Sequence, residues 1–207
     1  MKLQIVGDGS FGSFLKELLA SHFELSDNAE SVILAVPISA YDEVASKNKG
    51  KHLINVCSVQ EPSTTICLKH SEDVTSIHPL FGRRTPENKR FSIITYSYQS
   101  NKNDNDTWWY DDDNPENCFM REFRKVSQVF DKLDGLRFTP ASHDVLMAKT
   151  HVAALTAAQQ MKVFTDRVTD VPDFLLPNSF RLMREFVKTL DDMPKGTVES
   201  ILANPFI

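Results

Sequence analysis

The chain has 207 residues, 41% apolar and 25% charged, which suits one large or two small globular domains. A net charge of -5 leaves no basic stripe to neutralise phosphates and argues against nucleic acid as the main partner. No apolar run is long enough to span a bilayer, and three cysteines without CxxC spacing argue against a disulfide framework or zinc site.

The first stretch, Leu3 to Leu19, is an apolar run followed by Gly7, Gly9 and Gly12 and then by helical spacing at Phe11, Phe14, Leu15, Leu18 and Leu19. Strand, glycine turn and helix N-terminus occur in the order a pyrophosphate site requires. With a strand expected from residue 2, no room is left for a signal peptide, and a cytoplasmic protein is expected.

His22 to Leu25 suits one short strand. The continuous apolar run Val32 to Val36, ended by Pro37, reads as a buried parallel strand. Ile38 to Ser46 suits a short helix, and Leu53 to Val56, Val74 to Ile77 and Phe91 to Tyr96 suit further strands. Asn101 to Asn117 is polar and acidic and reads as an exposed loop, with Trp108, Trp109 and Tyr110 as local anchors or a partner patch. Phe119 to Leu133 has helical spacing ended by Gly135, and Leu136 to Phe138 suits a last strand.

From Ser142, a plausible N-cap, the character changes. His143 to Val168 contains no glycine or proline and predicts one long helix, followed by helical segments over Ser179 to Leu190 and Thr197 to Ala203. The expected fold class is α/β: an abbreviated Rossmann-like parallel sheet over residues 1–140, then a small all-α region over 141–207. That helical region carries more apolar surface than it hides by itself, so a homodimer through it is expected.

Four ordered segments, GDGSFG, VILAVP, NVCSVQ and IHPLFG, together resemble the prephenate/arogenate dehydrogenase family. SHDVLMAKTH and NSFRLMREF downstream resemble the same family. The resemblance implies oxidative decarboxylation of prephenate or arogenate, with hydride transfer to NAD or NADP, in tyrosine biosynthesis. It implies His78 as proton acceptor, Ser58 as positioning hydroxyl and Arg181 as carboxylate clamp. His143 and His151, eight residues apart on nearly one helix face, are candidate substrate contacts. Gly7, Gly9, Ser10, Phe11 and Gly12, with Val36 and Pro37, are the expected cofactor contacts. On the residues alone, Arg181 suits a surface ion pair equally well, His143 a structural helix start, and His151 a core histidine.

Ser21 to Ser31 is too short for the strand–helix–strand that completes an adenosine site. Asp27 is the candidate ribose acid, and the lack of a nearby arginine favours NAD over NADP. A homologue that binds a nucleotide or small acid without turnover is the alternative.

Overall fold

A computed structural model describes residues 1–97, 115–130 and 138–207. β1 (Lys2–Val6) lies near one edge of the sheet, paired in parallel with β2 (Glu24–Leu25) and β3 (Ser31–Leu34). β4 (His52–Asn55) and β5 (Val74–Pro79) extend the parallel run. With β6 (Phe91–Ser97) and β7 (Gln128–Phe130) the described strands follow the order β2-β1-β3-β4-β5-β6-β7.

Period two explains why the central strands read as unbroken apolar runs. Ile33 and Ile54 enter a core with Phe14, Leu15 and Leu19 of α1 (Ser10–Leu19) and Phe119 and Phe123 of α4 (Pro115–Phe123). Val32, Leu34 and Leu53 face the opposite core, with Tyr41 and Ala45 of α2 (Tyr41–Lys47) and Cys67 of α3 (Glu61–His70). Both faces of the sheet are therefore covered, as in α/β folds generally.

Four expectations need correction. β6 runs antiparallel to β5, so the sheet is not parallel throughout. The helix expected over residues 119–133 stops at Phe123, and residues 128–130 pair in parallel with β6 instead. Thr139, not Ser142, is the N-cap of α5 (Pro140–Met147); Ser142 sits inside the helix and completes a capping box with it. The single long helix is interrupted: α5 passes through a π turn at Ala148–Val152 before α6 (Ala153–Thr165). The expected aromatic anchors at residues 108–110, the helix stop at 135 and most of the strand at 136–138 lie outside the described residues.

The shortened edge is present as expected. Between α1 and β3 the chain forms only the two-residue β2. α7 (Asn178–Asp191) packs on α6, and α8 (Lys195–Leu202) packs against the turn at Ile38–Ala40 and the π turn. A Cβ on Gly196 would lie 3.1 Å from Pro37 Cγ, so the two segments are in close contact. No described helix is long and apolar enough to cross a membrane.

Candidate active site

The three glycines have different physical duties. Gly7 has φ of 129°, and a Cβ there would stand 2.1 Å from the carbonyl oxygen of Ala35. A Cβ on Gly12 would stand 2.3 Å from the carbonyl oxygen of Gly7, so helix and turn touch backbone to backbone. Gly9, the N-cap of α1, would project a Cβ into open space. A ligand can therefore approach the backbone at Gly9 alone of the three, beside the unpaired N–H groups of the helix start.

That open space is part of a cavity of about 640 Å³ between the carboxyl edge of the sheet and the C-terminal helices. Gly9, Ser10, Phe11, Gly12, Val36 and Pro37 line one side of it. Ser58 and His78 line it from the ends of β4 and β5, and His151, Leu155 and Phe186 from the helices. A parallel sheet brings its functional groups together at this edge.

Ser58 sits on a loop with little freedom. Cys57 N–H donates to Asn55 Oδ1 at 2.9 Å, and the fully buried Gln60 amide donates to the Cys57 carbonyl. Thr95 hydroxyl donates to Gln60 Oε1 at 2.6 Å, tying the loop to β6.

Behind His78 lies a buried array. His78 Nδ1 is 2.8 Å from His143 Nε2, and His143 Nδ1 is 2.8 Å from Asp144 Oδ1. The Asp144 carboxylate also accepts N–H from Gln60 at 2.8 Å and from Glu61 at 2.8 Å, at the start of α3. Backbone N–H groups only donate, so Asp144 is an acceptor on every side and takes the His143 Nδ1 proton as well. With His143 as a neutral imidazole, its Nε2 carries a lone pair that receives the Nδ1 proton of His78. The chain of bonds thus leaves a lone pair at His78 Nε2, the nitrogen available to the cavity. This tautomer is assigned from the bonding pattern. Burial, with His143 and His151 nearby, holds the His78 pKa well below the usual imidazole value.

The π turn explains how two histidines eight residues apart both meet His78. In a regular helix, eight steps of about 100° overshoot two turns by about 80°. The wider winding of a π turn absorbs about that excess. The ring centroids of His143 and His151 lie 4.9 and 5.6 Å from that of His78. His151 Nδ1 is buried with no hydrogen-bond partner, and burial lowers the pKa of its ring. A buried polar nitrogen without a partner is uncommon in native structures.

The structure brings together His78, Ser58, His151, Gly9, Ser10, Phe11, Gly12, Val36 and Pro37. It does not bring all the expected residues there. His143 is wholly buried and bonded to His78 and Asp144, so it supports the site rather than meeting substrate. Arg181 is exposed on α7 and donates to the Asp173 carbonyl at 3.0 Å, outside the cavity wall. Gly7 shapes the turn without lining the cavity, and Asp27 is exposed just past β2, also outside it. Sequence reasoning missed Asp144 and Gln60. The His143-Asp144 dipeptide, an acid beside an imidazole at a helix start, was the available signal for the first.

No protein-family model matches the sequence, and no curated protein matches it. Solved structures match its fold. A protein from Corynebacterium glutamicum assigned as a prephenate dehydrogenase aligns over 99% of this chain and 75% of its own, with TM-score 0.66 and 16% identity. Prephenate dehydrogenase from Aquifex aeolicus aligns over 97% of this chain and 86% of its own, at 0.56 and 15%. Synechocystis arogenate dehydrogenase aligns over 99% and 86%, at 0.54 and 16%. At such identities the likeness is one of fold.

Proposed function

We propose that the chain is a dehydrogenase of the prephenate/arogenate type, acting in the cytoplasm in tyrosine biosynthesis by oxidative decarboxylation with NAD(P)+. The observation that carries this reading is the shared cavity: an imidazole with its acceptor nitrogen free, a serine hydroxyl and an open glycine turn all reach it.

The residues present fit a dinucleotide. The open space at Gly9 and the first turn of α1 would hold the diphosphate, and Val36 and Pro37 would flank the rest. When bound, a nicotinamide supplies the acceptor for the hydride that leaves the hydroxyl-bearing ring carbon. Asp27, exposed just past β2 and outside the cavity wall, does not distinguish NAD from NADP.

The remaining work falls to side chains. His78 Nε2 takes the proton of the substrate hydroxyl as hydride departs. The resulting positive charge is shared along the array, since His78 Nδ1–H donates to His143 and His143 Nδ1–H to Asp144. Ser58 holds the same oxygen in register, and carbon dioxide leaves as the ring becomes aromatic. The apolar wall from Leu155, Phe186 and Ile201 excludes water from the reacting groups.

The helical region leaves Phe164, Phe174, Leu175 and Leu182 more than half exposed, at 59%, 79%, 62% and 56%. So much apolar surface supports a homodimer through these helices.

The test is appearance of reduced cofactor on mixing the protein with NAD+ or NADP+ and prephenate or arogenate. Turnover with one substrate is expected, and His78→Asn should lower kcat by about 100-fold or more. Absence of turnover with every pair at neutral pH rejects the reading. One observation favours a second reading, binding without catalysis: β2 has two residues, so the adenosine half of the site is abbreviated. Thermal stabilisation by NAD+, about 2.7 kcal/mol at a hundred times Kd, without turnover would support it.

A further inference from the structure

A substrate bearing carboxylates needs a cation in the cavity, and Arg181 does not supply it. Among the described residues, the cavity wall contains one lysine or arginine, Arg83, and no aspartate or glutamate. We propose that Arg83 is the residue that binds the substrate carboxylate, and that Glu17 holds it in readiness by occupying the same guanidinium fork.

Three features of the local structure support the assignment. Arg83 stands on a turn directly after the strand that carries His78. The turn is closed at both ends: Gly82 N–H donates to Thr85 Oγ1 at 3.0 Å, and Thr85 N–H donates to the Gly82 carbonyl at 2.9 Å. The arginine is therefore presented from a defined backbone. Its guanidinium carbon lies 5.7 Å from the ring centroid of Phe14, a face contact that orients the plane without consuming an N–H donor.

The third feature is the bond to Glu17. Arg83 Nη1 and Nη2 donate to the two oxygens of Glu17 at 2.6 and 2.9 Å, the paired geometry with which a guanidinium binds any carboxylate. Both side chains are more than half exposed, at 52% and 61%. An exposed pair of this kind is weakly held, so an incoming carboxylate can displace Glu17. The glutamate is thus an internal competitor, and its removal should improve substrate binding.

The site so defined rests on the dehydrogenase reading for the identity of its ligand. Arg83→Gln, Arg83→Lys and Glu17→Gln are to be compared with the wild-type protein in two assays. Steady-state turnover gives KM for prephenate and for NAD+ separately. Thermal denaturation gives the stabilisation by prephenate alone and by NAD+ alone.

Arg83→Gln is expected to raise KM for prephenate about 10- to 100-fold, with the loss concentrated in KM, and to abolish stabilisation by prephenate but not by NAD+. Arg83→Lys should fall between, and Glu17→Gln should lower KM for prephenate about two- to fivefold. An unchanged KM for prephenate in Arg83→Gln overturns the proposal. So does a loss confined to NAD+, which would give Arg83 to a cofactor phosphate, and so does a Glu17→Gln effect in the same direction as Arg83→Gln. A wild-type protein that prephenate stabilises through Arg83 but that does not turn over sinks the dehydrogenase reading and leaves this site standing. A wild-type protein that prephenate does not stabilise overturns the site itself.

Discussion

Asp144→Asn separates the buried array from ordinary packing. The carboxylate receives three N–H groups through two oxygens, from Gln60, Glu61 and His143. An amide offers one oxygen. Placed at the Oδ2 position, that oxygen keeps Glu61 at 2.8 Å and Gln60 at 3.1 Å. The new NH2 then faces His143 Nδ1, which must give up its proton to accept. His143 Nε2 becomes a donor, His78 Nδ1 an acceptor, and the neutral His78 ring carries its proton at the cavity nitrogen. The base is then blocked, at the cost of a donor-against-donor contact between the new NH2 and the Gln60 N–H, which stands 2.8 Å from Oδ1. The stability cost is about 1–3 kcal/mol, for charge-assisted bonds exchanged for neutral ones. The cost in kcat is about 10² to 10⁴, by analogy with the amide substitution behind the catalytic imidazole of serine proteases. Initial rates with NAD+ and prephenate at saturation measure the second quantity. Nitrogen-15 shifts of the imidazoles show the tautomer change independently of turnover. A variant with kcat within threefold of wild type and unchanged imidazole shifts would refute the assignment.

Three further outcomes are expected. Gly7→Ala should destabilise the fold by about 3 kcal/mol or more, because a Cβ would meet the Ala35 carbonyl and the φ of 129° disfavours any side chain; an unchanged denaturation midpoint would contradict this. Burial lowers the His52 pKa to about 3, so the folded state refuses a proton that the unfolded chain accepts below about pH 6.5. Stability contributed by neutral His52 is full above that pH and is lost as pH falls toward 3, by about 2 kcal/mol at pH 5. Urea unfolding at pH 7.5 and 5 measures it, and His52→Gln should remove that part of the loss. Phe174→Glu combined with Leu182→Lys should convert a dimer to monomer in sedimentation, and a wild-type protein that sediments as a monomer rejects the dimer.

The parts of the fold that were legible are those where burial leaves an apolar signature. β3 and β4 face hydrophobic neighbours on both sides, so Val32–Leu34 and Leu53–Ile54 read as unbroken runs. α3 went unassigned because its buried face is made of Ser63, Thr64 and Cys67, and Ser63 and Thr64 meet Asn55 and Ser76 through hydrogen bonds. A hydrophobic period does not register such a face. β7 was mistaken for a helix tail because Val126 and Val129 fall at helical spacing from Phe119 and Phe123. Pairing with β6 decided otherwise, a tertiary effect that local pattern does not contain.

In the candidate site, the positions of His78 and Ser58 were legible because the one ends a strand and the other follows one, at the sheet's carboxyl edge. Arg181 and His143 were misplaced because a residue's identity does not reveal which way its helix is rotated. His143 points inward to His78 and Asp144, and Arg181 outward to Asp173. Arg83 was overlooked since nothing in its neighbours marks the turn that aims it.

The wide coil at Ala148–Val152 makes residue count, rather than residue type, the vulnerable quantity in this part of the molecule. Most single replacements there would preserve the winding. Loss of one amino acid would let the rod anneal into ordinary α geometry, with seven steps of about 100° that stop about 20° short of two turns, whereas one added amino acid would rotate everything beyond it by about 100°. The loss would keep His151 near the face that meets His78, and the addition would swing it off. Insertions in this span therefore act on alignment of the reacting groups, and they do so without any change in the chemistry of the side chains.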